Sequence, residues 1–322
     1  MSNPLALTTQ ISKLITQVTS SIGHLCNLHF YQGNRNSNKV LLEIYNFRDR
    51  VFLFLYDLKT KFKFNKKLCA VQQISKQPKI HFFYISCGKD FKYLFISLRS
   101  LEKLNLGCRG NIYLYIDKKD HLSNEHIKKL KKEFIWNMVI RKTKYKLSWG
   151  GAKLLISELV AFREILTEIN QNDYVAKIDS DVLFISDRIF KEVIKGESEA
   201  IGQRKKEGFM EGGSYFLKAS LISKIVILRI YKLVKQTNQM DGSRLWGHQI
   251  SKCPEDRAIS MLVRQSGGKM LLSNFRAEFT KKEFIEKDLE GYSIIHFSKW
   301  CRLRKEDMTE IWRRLYPEEN VL

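Results

Sequence analysis

Two aspartates, Asp179 and Asp181, stand one residue apart in the stretch YVAKIDSDVLFI (174–185). The flanking residues are apolar enough to form a buried strand, so the acids fall where such a strand surfaces. A carboxylate leaving a low-dielectric interior is costly unless a cation accompanies it. Two carboxylate oxygens at this spacing suit a hard divalent cation, Mg²⁺ or Mn²⁺, which keeps further positions open for phosphate oxygens. The competing reading is a surface turn with two solvated acids. A second acidic pair, Glu255 and Asp256, follows Pro254 and opens a predicted helix. Acids there are favoured by the helix dipole whether or not they do chemistry.

The elements that must position these groups follow from periodicity. KIHFFYISCG (79–88) is a short apolar, aromatic run ending at glycine, and it predicts a strand. In KDFKYLFISLRSLEKLNLG, residues Leu94, Leu98, Leu101 and Leu104 recur at helical spacing, with Gly107 as the expected terminator. NIYLYID (111–117) predicts a second strand, and strand–helix–strand with one helical crossover implies parallel pairing. FIWNMVIR is a further strand candidate. Ala152, Leu155, Leu159, Phe162, Leu166 and Ile169 mark an amphipathic helix leading into the aspartate strand. EGGSYFLKAS places a glycine pair, Gly212 and Gly213, ahead of a strand; EDRAISMLVRQSGG reads as a helix closed by glycines; YSIIHFSKW is a last strand carrying His296 out of its end.

The expected fold class is therefore α/β: a Rossmann-like, mostly parallel central sheet flanked by helices. In such sheets ligands sit beyond the carboxyl ends of the strands. Ser86 and Cys87, Asp117, and the Asp179–Asp181 pair all fall at strand ends and should converge on one rim. Trp149-Gly150-Gly151 with Lys153 opens the amphipathic helix, where backbone amides and a lysine suit an anion; a packed helix entry explains it equally well.

Composition bounds the rest. The 322 residues exceed what one small core needs, and 44% hydrophobic with 12% aromatic content excludes a disordered chain. Residues 1–76 differ from the remainder of the chain. They hold a mixed apolar and basic stretch with Phe52, Phe54, Phe62 and Phe64 beside Lys59, Lys61, Lys63, Lys66 and Lys67. They predict a mainly helical, basic extension preceding a domain over 77–322. The net charge of +22 fits either a lysine-rich solvated surface or attraction to an anionic partner. Six dispersed cysteines without a CxxC spacing point to reduced thiols and a cytoplasmic setting. No apolar run reaches the length of a membrane span, so any membrane contact is expected to be peripheral, at the inner face.

Taken together, IDSDVLF, FFYISCGKD, NIYLYID, EGGSYFLKAS, CPEDRAISMLVRQSGGKM and IIHFSKW resemble the motifs of nucleotide-sugar glycosyltransferases of the GT-A fold, the DxD-motif family. The resemblance covers roughly residues 79–301. It implies a metal-dependent transferase that takes a nucleoside diphosphate sugar, of UDP type, as donor and a glycan, polysaccharide or lipid-linked hydroxyl as acceptor. It further implies that Asp181 binds the cation, that Asp179 binds the cation or the donor ribose, and that His296 completes the metal site. Lys299 would contact a phosphate. Ser86, Cys87 and Asp117 would approach the nucleoside. Asp256 in preference to Glu255 would take the proton from the acceptor, with inversion of the sugar. The HFSKW stretch leans instead toward retaining relatives.

Two other classes compete. A phosphatase of the haloacid-dehalogenase type also uses a strand followed by DxD, but needs a second acidic cluster downstream, and no GDxxxD follows residue 181. A basic nucleic-acid-binding protein would explain the charge, yet the lysines are spread along the chain and no recognised nucleic-acid motif is present. No nucleic-acid partner is expected.

Overall fold

The strand Ile80–Ser86 (β1) is buried along its whole length and is an interior strand of a seven-stranded sheet. This computed structural model describes residues 77–143, 152–205, 208–226, 254–277, 289–298, 303 and 305–319, with only the backbone at 152 and 153. The expected extension over 1–76 lies outside these residues.

After β1 the chain runs through helix α1 (Phe91–Lys103), β2 (Arg109–Ile116), α2 (Asn124–Glu133), β3 (Met138–Lys142), α3 (Ala152–Ile165), β4 (Tyr174–Asp179), β5 (Val182–Phe184) and α4 (Arg188–Ile194). It continues through β6 (Ala200–Arg204), β7 (Met210–Lys218), α5 (Ala219–Val226), α6 (Glu255–Gln265), β8 (Met270–Ser273), β9 (Arg276–Ala277), β10 (Ile294–His296) and α7 (Asp307–Leu315). The large sheet has the order β3-β2-β1-β4-β7-β6-β8. Its strands β3, β2, β1 and β4 are mutually parallel, β7 runs against both neighbours, and β6 and β8 are again parallel. The expected mostly parallel α/β sheet is thus present.

Alternation along β1 explains the three layers. Phe82 and Tyr84 pack with α1 and α4 on one face, and Phe83 and Ile85 pack with α3 on the other. Truncating such a side chain to alanine costs about 3–5 kcal/mol in comparable cores. A smaller sheet, β5-β10-β9, sits between the first of these cores and a third, built from Leu183, Ile295, Phe297 and the α7 residues Met308, Ile311 and Trp312. No helix among the described residues is long and apolar enough to cross a membrane.

Three local expectations change. Helix α1 ends at Lys103 with Leu104 as its cap, and the left-handed residue is Asn105 (φ 43°) rather than Gly107. Asparagine tolerates that region, so it ends the helix where glycine was expected. The stretch YVAKIDSDVLFI is two strands: β4 belongs to the large sheet and β5 to the small one, with a turn between them. Gly212 and Gly213 lie inside β7, not in a turn before it.

The amino edge of the sheet carries a buried hydrogen-bonded pin. Asp173 accepts from the backbone N–H of Lys79 and of Asn170, each at 2.9 Å, and lies 3.3 Å from His81 Nε2. His81 Nδ1 accepts from Asn111 N–H at 3.0 Å, so Nε2 carries the proton toward Asp173. Gly110 leaves room for this ring, because a side-chain carbon there would collide with it. Burial alone would raise the Asp173 carboxyl; the His81 bond and the two N–H donors outweigh burial and hold it below its usual range. A depressed acid stabilises the fold at neutral pH and loses that contribution as pH falls through the carboxylate range. Asp173→Ala is expected to cost about 3 kcal/mol in urea unfolding at pH 7. The difference from the parent should shrink as pH falls below about 4. A loss under about 0.5 kcal/mol, within the range of an ordinary surface change, would remove the pin.

Candidate functional site

The site forms where the two sheets meet. β4 delivers Asp179 at its carboxyl end, and the chain turns through Ser180 and Asp181 before β5 begins. β10 pairs antiparallel with β5, His296 opposite Val182, and Phe297 N–H donates to the carbonyl of Asp181 at 2.9 Å. That register sets the imidazole against the acids. His296 Nε2 lies 3.4 Å from Asp181 Oδ1 and 3.8 Å from Asp179 Oδ2. One donor atom from each of Asp179, Asp181 and His296 falls within 4.8 Å of the others. The strand β7 closes the back, because a side-chain carbon at Gly213 would overlap the His296 ring. Only glycine permits this approach. Two carboxylates and an imidazole fit a divalent cation by chemistry and by spacing.

Two lysines hold the acids together. Lys177, two residues before Asp179 on the same strand face, is buried and donates at 2.6 Å to Asp179 Oδ1 and at 2.6 Å to the carbonyl of Gly212. Its Nζ lies 3.8 Å from Glu158 on α3, whose other oxygen accepts from Tyr215 at 3.2 Å. Lys305 donates to Asp90 at 2.8 Å and reaches Asp181 Oδ2 at 3.7 Å.

These contacts set the charges. Burial raises the Asp179 carboxyl and the charge of Asp181 adds to this, while Lys177 pulls it down; the net direction is upward. A third of the Asp179 side chain stays exposed, so water moderates the rise. Burial would also raise Asp181, but the His296 hydrogen bond and then Lys305 outweigh it and hold Asp181 ionised below the usual range. For Lys177, burial favours loss of the proton. Asp179 first, then Glu158 and Glu255, reverse this and keep the ammonium charged well above its ordinary range. Glu158, fully enclosed, is pushed up to about 8, by burial first and by Glu255 and Asp179 against the pull of Lys177.

The other sequence candidates take definite places. Ser86 ends β1 with its hydroxyl buried and without a hydrogen-bond partner among the described residues. The Cys87 thiol points to Asp90 Oδ2 at 3.5 Å and is pushed up to about 12, by burial first and then by Asp90, so it remains a neutral thiol. Asp117 follows β2 and accepts from Lys119 N–H at 3.0 Å, shaping the turn. The Glu255 carboxylate adjoins Gly212, where an added carbon would sit 2.9 Å from it. Burial raises Glu255, Lys177 opposes, and the charges of Asp256 and Asp179 add to the rise. Asp256 instead is buried and ion-paired to Lys205 at 2.8 Å. The side chain of Lys153, the Trp149–Gly151 stretch and Lys299 lie outside the described residues.

Lys177, Glu158, Asp90 and Lys305 join the site without having been singled out in the sequence. Lys177 had a visible signal, a lysine inside an apolar strand in phase with Asp179. Lys305 had none, because it lies in an irregular stretch before α7.

No protein-family model and no curated protein matches the sequence. Solved structures do align with it. Galactosyltransferase LgtC in complex with donor and acceptor sugar analogues shares 12% identity and a TM-score of 0.46 over 73% of this chain and 95% of that one. The glycosyltransferase GlyE of Streptococcus pneumoniae shares 13% and 0.48 over 74% and 60%. Mouse xyloside xylosyltransferase 1 shares 10% and 0.43 over 68% and 97%. These structure neighbours are glycosyltransferases, the class that the sequence resembles. At such identities and scores the likeness carries neither activity nor substrate to this chain.

The Glu158 environment gives a pH dependence. A folded carboxyl near 8 against an ordinary value of about 4.3 means the fold holds a proton that the unfolded chain releases. Stability from this group is therefore greatest at low pH and declines as pH rises from about 4.5 to about 8. Glu158→Gln is expected to retain the fold at pH 7 and to flatten that decline in denaturant midpoints. An unchanged pH slope would mean that Glu158 is ionised in the fold.

Proposed function

We propose that this chain is a metal-dependent glycosyltransferase. It moves a sugar from a nucleoside diphosphate sugar, of UDP type, to a hydroxyl of a glycan, polysaccharide or lipid-linked acceptor. One observation carries the reading: Asp179, Asp181 and His296 converge at the carboxyl edge of a parallel sheet, within reach of a single ion. A bound Mn²⁺ or Mg²⁺ would neutralise the charge that builds on a departing nucleoside diphosphate.

The chain's own groups divide the remaining work. Asp181, kept ionised, is the principal ligand, with Asp179 and His296 completing the set. Lys305, bridging Asp90 and Asp181, offers an ammonium to a phosphate oxygen, a role that the family resemblance implied for Lys299. Ser86 and Asp117, at the ends of adjacent strands, line the nucleoside side. Cys87 packs as a neutral thiol there. Glu255, raised by burial and, among the described residues, not held by an ion pair as Asp256 is, acts on the acceptor proton. Asp256 fixes the start of α6 through Lys205. A base-assisted direct attack inverts the anomeric carbon, so a product of retained configuration would remove Glu255 from the role of base.

Thermal unfolding with a panel of nucleoside diphosphate sugars tests the main reading. A UDP-type ligand at a hundred times its Kd, with Mn²⁺, is expected to raise the melting temperature by about 5 °C or more. The rise should vanish without metal and in Asp181→Ala. Equal stabilisation with and without metal would reject the cation site. For the acceptor step, Glu255→Gln is expected to lower turnover about 100-fold or more while leaving donor-induced stabilisation intact. Unimpaired turnover in that variant would exclude Glu255.

A further inference from the structure

A carboxylate has two oxygens, and which of them faces an ion decides its mode of ligation. Asp179 Oδ1 is taken: Lys177 Nζ donates to it at 2.6 Å. Oδ2 is the oxygen turned toward His296, at 3.8 Å from Nε2. The ammonium has little freedom to leave. It is buried, it donates a second bond at 2.6 Å to the carbonyl of Gly212, and it faces Glu158 across 3.8 Å. The ring of Tyr215, its cross-strand partner on β7, lies 5.8 Å away. The strand carrying Asp179 is thereby tied to the strand whose glycines approach His296 and Glu255. A charged hydrogen bond of this length restricts rotation of the acid, and outer partners of this kind orient metal ligands.

We propose that Lys177 is a positioning residue that locks Asp179 so that only Oδ2 is offered to the cation, and that links this carboxylate to the glycine segment of β7. The inference rests on the reading of Asp179, Asp181 and His296 as the metal site. It adds a distinct requirement, that a buried lysine outside the ligand set fixes ligand geometry.

The test uses the full chain. Mn²⁺ titration by calorimetry on the parent, with Asp181→Ala as control, checks the site itself. Lys177→Met keeps most of the side-chain volume without the ammonium and is expected to weaken Mn²⁺ binding about 10- to 100-fold. Asp173→Ala, at the opposite edge of the sheet and expected to lower stability, should leave Mn²⁺ affinity within about threefold of the parent. That contrast separates positioning from general stabilisation of the fold. Where Lys177→Met fails to fold, a crystal structure of the parent with Mn²⁺ gives the answer directly. Asp179 is expected to bind through Oδ2 alone, with Lys177 Nζ still on Oδ1. Parental Mn²⁺ affinity in Lys177→Met, or a bidentate Asp179 with Lys177 displaced, would overturn the proposal while leaving the metal site standing. A parent that binds no Mn²⁺ would overturn both.

Discussion

Negative charges gather in a poorly solvated place only when positive charge is fixed among them. Asp179, Asp181, Asp90, Glu158 and Glu255 all approach the seam between the two sheets, and in aqueous dielectric terms their repulsion is modest, but partial burial multiplies it. Two lysines make the arrangement tenable. Lys177 serves the interior side, against Asp179 and Glu158, and Lys305 the outer side, against Asp90 and Asp181. One acid escapes the balance by staying protonated, since Glu158 is held near 8. The result is an asymmetric pair in β4 and its turn: Asp181 is biased toward the ionised form and Asp179 away from it.

The two ends of the sheet are built on different principles. At the amino edge, Asp173 and His81 are matched one to one with all their polar atoms paired, which is how a structural pin is made. At the carboxyl edge, several acids share two lysines, and His296 comes from a separate sheet. The same residue types thus serve rigidity at one end and a candidate metal site at the other. What separates them is the completeness of pairing.

Much of this was legible in the sequence. β1, α1, β2, α3 and α6 follow from periodicity because each buries a continuous face, and patterns of two and of three-to-four survive in a single chain. The strand-end placement of Asp179 was legible for the same reason. The division of YVAKIDSDVLFI was not. VLF is apolar whether it continues one sheet or joins another, and only pairing with β10, far along the chain, decides. Asn105 is hidden behind Gly107, the stronger signal for a left-handed residue. The preference for Asp256 over Glu255 rests on resemblance alone. Neighbouring residues at a helix start point in different directions, and which of them meets Lys205 depends on the loop between β6 and β7. Lys177 stands in plain view, yet a charge inside an apolar strand reads as an interruption until its partners are known.

The small sheet is held on both faces. β5 and β10 pair over three residues each; Leu183 and Ile295 pack with Leu303, Met308, Ile311 and Trp312, while Val182, Phe184 and Ile294 enter the core of the seven-stranded sheet. The two sheets therefore meet through a shared core: Val182, Phe184 and Ile294 pack in one cluster with Ile178 of β4. The spacing of His296 from Asp179 is thus set by side-chain packing as well as by strand pairing, and a change of volume in that core would be felt at the seam.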